Sequence, residues 1–248
     1  MRILVFNPNI SESVTALIAA EAQRGASPGT ELVMATAPFG VAYIETRLEA
    51  VIGGYAGACA AAEYHGKIDG MVVAAFGDPG LAGIRELMDV PVVGLTEAAL
   101  MSACMLGGRF SIIAISHRIK AWYRECIESH GLLGRLASIR SLEQPLRNIA
   151  TVQEDHAARL KELALDAVQS DGADVLIIAG APLAGLARKM KDEIPVPMVD
   201  PVSSAVRHCE TLAKMELGVA RQGSLARPPR KPNKGLPSAI AGLLGSES

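Results

Sequence analysis

Apolar and polar positions along the chain fall into two alternating rhythms. Short runs rich in Val, Ile, Leu and Ala, at residues 2–6, 31–37, 70–75, 91–95, 110–116, 136–142, 173–179 and 195–199, read as strands. Between them, segments with helical spacing read as helices, at about 11–24, 43–64, 97–106, 119–129, 153–169 and 200–217. The runs at 70–75 and, apart from Asp174, 173–179 are apolar, as in parallel strands buried on both faces. Strands alternating with helices predict an α/β fold on parallel sheets.

One part of this pattern occurs twice. Residues 74–83 run Ala-Ala-Phe-Gly-Asp-Pro-Gly-Leu-Ala-Gly, and residues 179–185 run Ala-Gly-Ala-Pro-Leu-Ala-Gly. Each copy follows an apolar strand, passes through a turn of small residues, opens a short helix with Leu-Ala-Gly, and reaches Pro-Val and another strand. A repeated β-α-β unit predicts two pseudo-symmetric parallel-sheet α/β halves with the site between them. Their expected bounds are 1–108 and 109–217, with 201–217 able to pack back on the first half. The turns at 75–80 and 180–183 lie at strand carboxyl ends, where open α/β sheets bind ligands. Equivalent turns are expected to face one pocket, with the Cα atoms of Ala75 and Gly180 within ~15 Å so that groups from both can reach one carbon.

Composition narrows the possibilities. A chain of 248 residues that is 50% hydrophobic but only 4% aromatic suits two closely packed α/β halves. A net charge of −2 offers no basic face for nucleic acid. No apolar run reaches the ~18–20 residues of a membrane span, and no signal peptide is evident; a cytoplasmic homo-oligomer acting on a small molecule is expected. From residue 220 the chain turns Pro-rich and basic, so 218–248 is expected to be an irregular tail, small and weakly helical from 237 on, that adds little to the core.

Candidate chemistry is sparse. There is no P-loop, no GxGxxG after the first strand, no HExxH and no GxSxG, and no metal or cofactor is expected. Cys59, Cys104, Cys126 and Cys209 lie in helical patterns without CxxC spacing, and read as buried apolar residues. Near strand carboxyl ends stand Asp78, Glu97, His117 and Asp200. Carboxylates at such places commonly cap helices; as replacement acid–base chemistry, His117 with Glu97 is the first choice. Asn7 and Asn9 follow the first strand, either as turn and cap residues or as ligand contacts.

In this order and spacing, Asn7-Pro8-Asn9, Phe76-Gly77-Asp78-Pro79-Gly80-Leu81, residues 90–94 (Val-Pro-Val-Val-Gly), 108–113 (Gly-Arg-Phe-Ser-Ile-Ile), Ala184-Gly185-Leu186 and Asp200-Pro201-Val202 resemble the aspartate/glutamate racemase superfamily, nearest its hydantoin and allantoin racemase branch. The resemblance covers roughly 2–217. It implies a cofactor-independent isomerase in which two cysteines face the substrate, one thiolate removing the proton next to a carbonyl and one thiol returning a proton on the other side. Carried over by motif, the cysteine positions are Ala75 and Gly180, and neither residue can transfer a proton. A related one-cysteine decarboxylase would also need its thiol at Gly180. Pro182 removes a backbone N–H from the second turn. The implied binding residues are Asn7, Asn9, Ala75, Phe76, Gly77, Asp78, Thr96, Gly180, Ala181 and Pro182. Two functions follow as expectations: carbon-acid chemistry without the usual thiols, or a catalytically silent ligand-binding protein. A laboratory replacement of both cysteines is a further origin.

Overall fold

The computed structural model describes residues 1–143, 148–149, 151–220 and 222–245. The chain runs β1 (Arg2–Asn7), α1 (Glu12–Gly25), β2 (Glu31–Thr36), α2 (Arg47–Tyr64), β3 (Gly70–Val73), α3 (Leu81–Leu87), β4 (Val92–Gly94) and α4 (Leu95–Leu106). It continues through β5 (Phe110–Ala114), α5 (Lys120–Ser129), β6 (Leu136–Ser141), α6 (Val152–Asp155), α7 (Ala157–Gln169), β7 (Val175–Ile178), α8 (Leu186–Lys189), β8 (Met198–Val199), α9 (Pro201–Lys214) and α10 (Ser238–Leu244).

The strands form two four-stranded sheets of the same order, β2-β1-β3-β4 and β6-β5-β7-β8, with every pairing parallel. This is the pair of parallel-sheet α/β halves expected from the repeat. The central strands β1, β3, β5 and β7 are buried at nearly every position, which explains their lack of polar alternation.

Register fixes the equivalences between the halves. The Ala74 N–H donates to Phe6 O at 2.8 Å, and the Ala179 N–H to Ile113 O at 2.8 Å. Ala75 and Gly180, the next residues, therefore occupy the same point of the repeat. Val72 lies opposite Val93 and Ile177 opposite Val199, so Gly94 and Asp200 correspond as well. The helix starts correct one reading. Gly80 and Gly185 are both left-handed caps, of α3 and α8 respectively (φ 75° and 82°). Leu81-Ala82-Gly83 therefore lies inside a helix, whereas Leu183-Ala184-Gly185 precedes one. The two Leu-Ala-Gly triplets look alike but are three residues out of phase.

Two helix starts also differ from the apolar pattern. Thr46 and Glu49 form a reciprocal capping box, so α2 begins at Arg47 rather than near Tyr43. Strand β4 stops at Gly94 and α4 begins at Leu95.

The helices that follow the last strand of each sheet are exchanged. Ala99, Leu100 and Ala103 of α4 join the core built on β5 and β7. Val202, Ala205, Val206 and Cys209 of α9 join Ile3, Val5 and Val72 of the first sheet. The close approach of Gly70 to the Cys209 Sγ, 2.5 Å from where a Cβ would stand, shows how tightly α9 seats there. Beyond α9, the chain returns to the first half: Arg227 donates to Asp89 at 2.7 Å, and α10 packs on α2 with Ile240 buried. Among the described residues, no helix is long and apolar enough to cross a membrane.

Candidate ligand site at the paired turns

The first turn, Ala75 to Gly80, is built from both halves. Ala75 and Phe76 are buried. Gly77 has φ 103°, and a Cβ there would stand 2.2 Å from the Trp122 ring, so only glycine permits this overlap. Trp122 and Tyr123 come from α5 of the second half, and the Tyr123 ring lies 4.6 Å from that of Phe76. The Cys126 Sγ contacts Gly77 O at 3.8 Å.

Beneath this aromatic cover lies a hydrogen-bonded junction. The Gly77 N–H donates to Thr96 Oγ1 at 2.5 Å. The Asp78 carboxylate accepts the N–H groups of Thr96 (2.8 Å) and Glu97 (3.0 Å), the first turn of α4. Burial pushes the Asp78 carboxyl up to about 7, against the opposing pull of those amides. Glu97 turns the other way: it accepts the Gly94 N–H at 3.1 Å and pairs with Arg85, which also holds Val92 O at 2.8 Å.

The second turn reaches a similar shape by other means. Gly180 has φ 107° and leads into a 3-10 turn over Ala181–Leu183. Gln153 Nε2 donates to Pro182 O at 2.9 Å and to Ala184 O at 3.0 Å, while Lys189 Nζ donates to its Oε1 at 2.9 Å and so fixes the amide's orientation. Asp200 accepts the Gly185 N–H at 2.6 Å and those of Val202 and Ser203 at 2.9 and 3.3 Å. Burial raises its carboxyl to about 6.

Both turns leave a backbone donor free at an equivalent position. No acceptor among the described residues takes the N–H of Phe76 or Ala181, the residues directly after the equivalent Ala75 and Gly180. A free amide beside a small side chain at a strand's carboxyl end can receive a carboxylate, carbonyl or enolate oxygen. Neither Ala75 nor Gly180 brings an ionisable group to it.

The remaining candidate residues divide clearly. Asn7 is fully buried; its Nδ2 donates to Asn9 Oδ1 (3.0 Å), Ser11 O (3.2 Å) and Thr15 Oγ1 (2.9 Å), so it organises the end of β1. Asn9 in turn accepts the Ser11 N–H at 2.9 Å. His117 is exposed beyond β5, and no hydrogen bond or ion pair among the described residues joins it to Glu97. Glu97, held by Arg85 and the Gly94 amide, serves as a structural tie at the start of α4; the sequence showed a carboxylate at a strand end but not which donors would claim it. Trp122, Gln153 and Arg85 shape the turns and went unremarked in the sequence, because each acts across 20 or more residues or lies in a segment of ordinary helical character.

All four cysteines lie in helices, but only Cys209 is fully buried. Burial raises the thiol of Cys59 and pushes those of Cys126 and Cys209 up to about 12, opposite to the direction that makes a thiolate. A larger cavity, of about 790 Å³, opens at the amino ends of β3 and β4 and includes Asp69, Pro91 and Leu217. It lies at the wrong end of the strands for the paired turns, so its size does not make it the candidate site.

Two parallel-sheet halves joined by exchanged helices, with equivalent turns at their strand ends, define a pseudo-symmetric class of α/β protein. The Asp/Glu/hydantoin racemase family model matches residues 3–209, and the chain belongs to that family. It is 35% identical over 238 residues to a hydantoin racemase of Paenarthrobacter aurescens, covering 93% of this chain and 99% of that one. An allantoin racemase from Klebsiella pneumoniae superimposes with a TM-score of 0.92 at 31% identity, covering 99% of both chains. An allantoin racemase from Pseudomonas fluorescens does so at 0.89 and 32%, covering 95% of this chain and 100% of that one. These relatives support the hydantoin and allantoin racemase branch.

Proposed function

We propose that the chain binds a small carboxylate, hydantoin or ureide-like compound between its two turns, and that it does not exchange a proton through a pair of thiols. The observation that carries this reading is the equivalence of Ala75 and Gly180, each without a proton carrier and each followed by a free backbone N–H. The amides suit an anionic or carbonyl oxygen. Asp78 and Asp200, both engaged by helix amides, hold the turns in shape. The ligand class follows from the hydantoin and allantoin racemases to which the chain is similar.

A second reading, carbon-acid isomerisation without thiols, rests on His117, which is exposed at a strand's carboxyl end and has no side-chain partner among the described residues. With Glu97 engaged by Arg85, His117 would have to act with a ligand group or with water.

Both readings are tested by a panel of hydantoins, allantoin and amino acids, followed by melting temperature, by the fluorescence of the single tryptophan Trp122 and by solvent deuterium uptake. Ligand binding without exchange is expected. Exchange that survives iodoacetamide would favour the second reading. Exchange abolished by iodoacetamide, with one of the four cysteines labelled and protected by substrate, would overturn the thiol-free account. Absence of binding across the panel would remove the ligand class itself. As a converse test, Ala75→Cys with Gly180→Cys should restore deuterium uptake, and needs Pro182→Gly as well. A non-glycine residue at φ 107° carries backbone strain, and releasing the proline lets that turn relax.

A further inference from the structure

Behind the second turn, where α1, α8 and α9 meet, lies a cavity of about 410 Å³. Its lining includes Glu21 and Arg24 from α1, Arg188 from α8, Lys191 just beyond it, Asp200 at the cap of α9, and Arg207 from within α9. Four cations thus surround one concavity in a chain whose net charge is −2. The two carboxylates there are already engaged. Glu21, buried, pairs with Arg188, and Asp200 accepts three backbone N–H groups.

Arg24, Lys191 and Arg207 take part in no ion pair or side-chain hydrogen bond among the described residues. Arg24 sits in the last turn of α1 and complements its helix dipole. Lys191 and Arg207 have no such role: one lies beyond a helix and the other in the middle of α9. Like charges gathered around a concave wall raise the local potential and favour an anion of more than one charge. Guanidinium groups with an ammonium match the several oxygens of a phosphoryl group.

We propose that this cavity is a binding site for a small phosphoryl dianion, either free phosphate or a phosphomonoester, held by Arg24, Lys191 and Arg207. The site is separate from the paired turns and does not rest on the ligand proposed for them. Its position gives it a consequence. Arg24 belongs to the first half and Lys191 to the second, so an occupant would tie the halves together next to Asp200, whose carboxylate holds the second turn through Gly185.

The test is calorimetric titration of the full chain with inorganic phosphate and, separately, with glycerol phosphate, against sodium chloride at matched ionic strength. Saturable binding of either compound is expected, and the tighter of the two identifies the source. Arg24→Gln with Arg207→Gln, and independently Lys191→Gln, should weaken binding by ~10-fold or more. All three positions are exposed, so these variants should keep their melting temperature. Removing two tail cations instead, Arg230→Gln with Lys234→Gln, should leave the affinity unchanged. The proposal fails if neither compound binds saturably, if chloride reproduces the signal, or if the tail variant weakens binding as much as the cavity variant.

Discussion

The two halves solve the same local problem with the parts interchanged. In each, the helix after the last strand of the sheet presents its first amides, Thr96 and Glu97 in one and Val202 and Ser203 in the other, to a single carboxylate. In the first half that carboxylate is Asp78, from the preceding turn, and Gly94 leaves the room: a Cβ at Gly94 would stand 2.2 Å from the Asp78 Cγ. In the second half the residue equivalent to Gly94 is Asp200, which caps its own helix, and the residue equivalent to Asp78 is the buried Leu183. The same exchange holds one step away. The Gly77 N–H bonds the Thr96 hydroxyl; their equivalents are Pro182, which has no N–H, and Val202, which has no hydroxyl. What the halves preserve is the satisfaction of helix-end amides, while the residue that provides it is free to change sides.

The largest expected effect comes from placing both solutions in one half. Gly94→Asp drives a second carboxylate into the space of Asp78, combining overpacking with buried like charge, and should cost ~4 kcal/mol or more in urea unfolding. Asp78→Leu alone leaves two amides without an acceptor and should cost ~2 kcal/mol. The double variant rebuilds the second half's arrangement and should recover most of the loss, with a coupling of ~5 kcal/mol in the double-mutant cycle. It should retain a deficit of ~1 kcal/mol, because Asp78 has φ 47° and leucine tolerates that conformation less well. If the double variant is no more stable than the sum of the singles, the two carboxylates are not interchangeable.

Acidity offers a second way to separate the junctions. Burial raises Asp78 to about 7 and Asp200 to about 6, from an ordinary 3.8. A carboxyl raised in the folded state contributes stability that is fully present below its unfolded pKa and lost as pH rises through the folded one. Each junction should therefore lose stability on going from pH 4 upward, that of Asp200 through about 6 and that of Asp78 through about 7. Asp78→Asn keeps an acceptor for the amides and should flatten the upper part of the stability curve, and Asp200→Asn the lower part. Unchanged curves in both variants would mean that the carboxylates are ionised and well compensated throughout.

Much of this architecture was legible in the sequence, for reasons that also mark where legibility ended. The strands 70–75 and 173–179 announced themselves by runs that are apolar but for Asp174, and the motif that placed the family's cysteines at Ala75 and Gly180 agrees with the strand register that makes these residues equivalent. The Leu-Ala-Gly triplets misled by three residues, since small-residue composition carries little information about which glycine must be left-handed. The roles of Asp78 and Glu97 depended on donors 18 and 12 residues away. The Trp122 cover over Gly77 and the exchange of α4 and α9 are contacts between halves, which no local periodicity encodes. The tail differs as well. Its Pro-rich composition suggested a segment that adds little to the core, yet Arg227 and Ile240 anchor it to the first half. Truncation after Leu217 should accordingly lower the melting temperature measurably, by the burial of one Ile and its neighbours, on the order of 2 kcal/mol.

The smallest expected effect tests what holds the halves to each other. Besides the exchanged helices, three ion pairs cross between them among the described residues, Arg47 with Glu125, Arg118 with Glu45 and Arg188 with the buried Glu21. Arg47 and Glu125 are more than half exposed, at 59% and 54%. Exposed pairs are screened by solvent and salt, and long side chains lose freedom in forming them. Arg47→Ala should therefore leave the melting temperature within experimental error, and raising the salt concentration should do no more. By contrast, Ala99, Leu100 and Ala103 of α4 and Val202, Ala205, Val206 and Cys209 of α9 lie in cores of the opposite sheet, where burial is insensitive to ionic strength. A drop of several degrees on losing Arg47, reproduced in the parent chain by salt, would show that the halves are clasped at their charged rim and that the helix exchange carries less of the association than its burial implies.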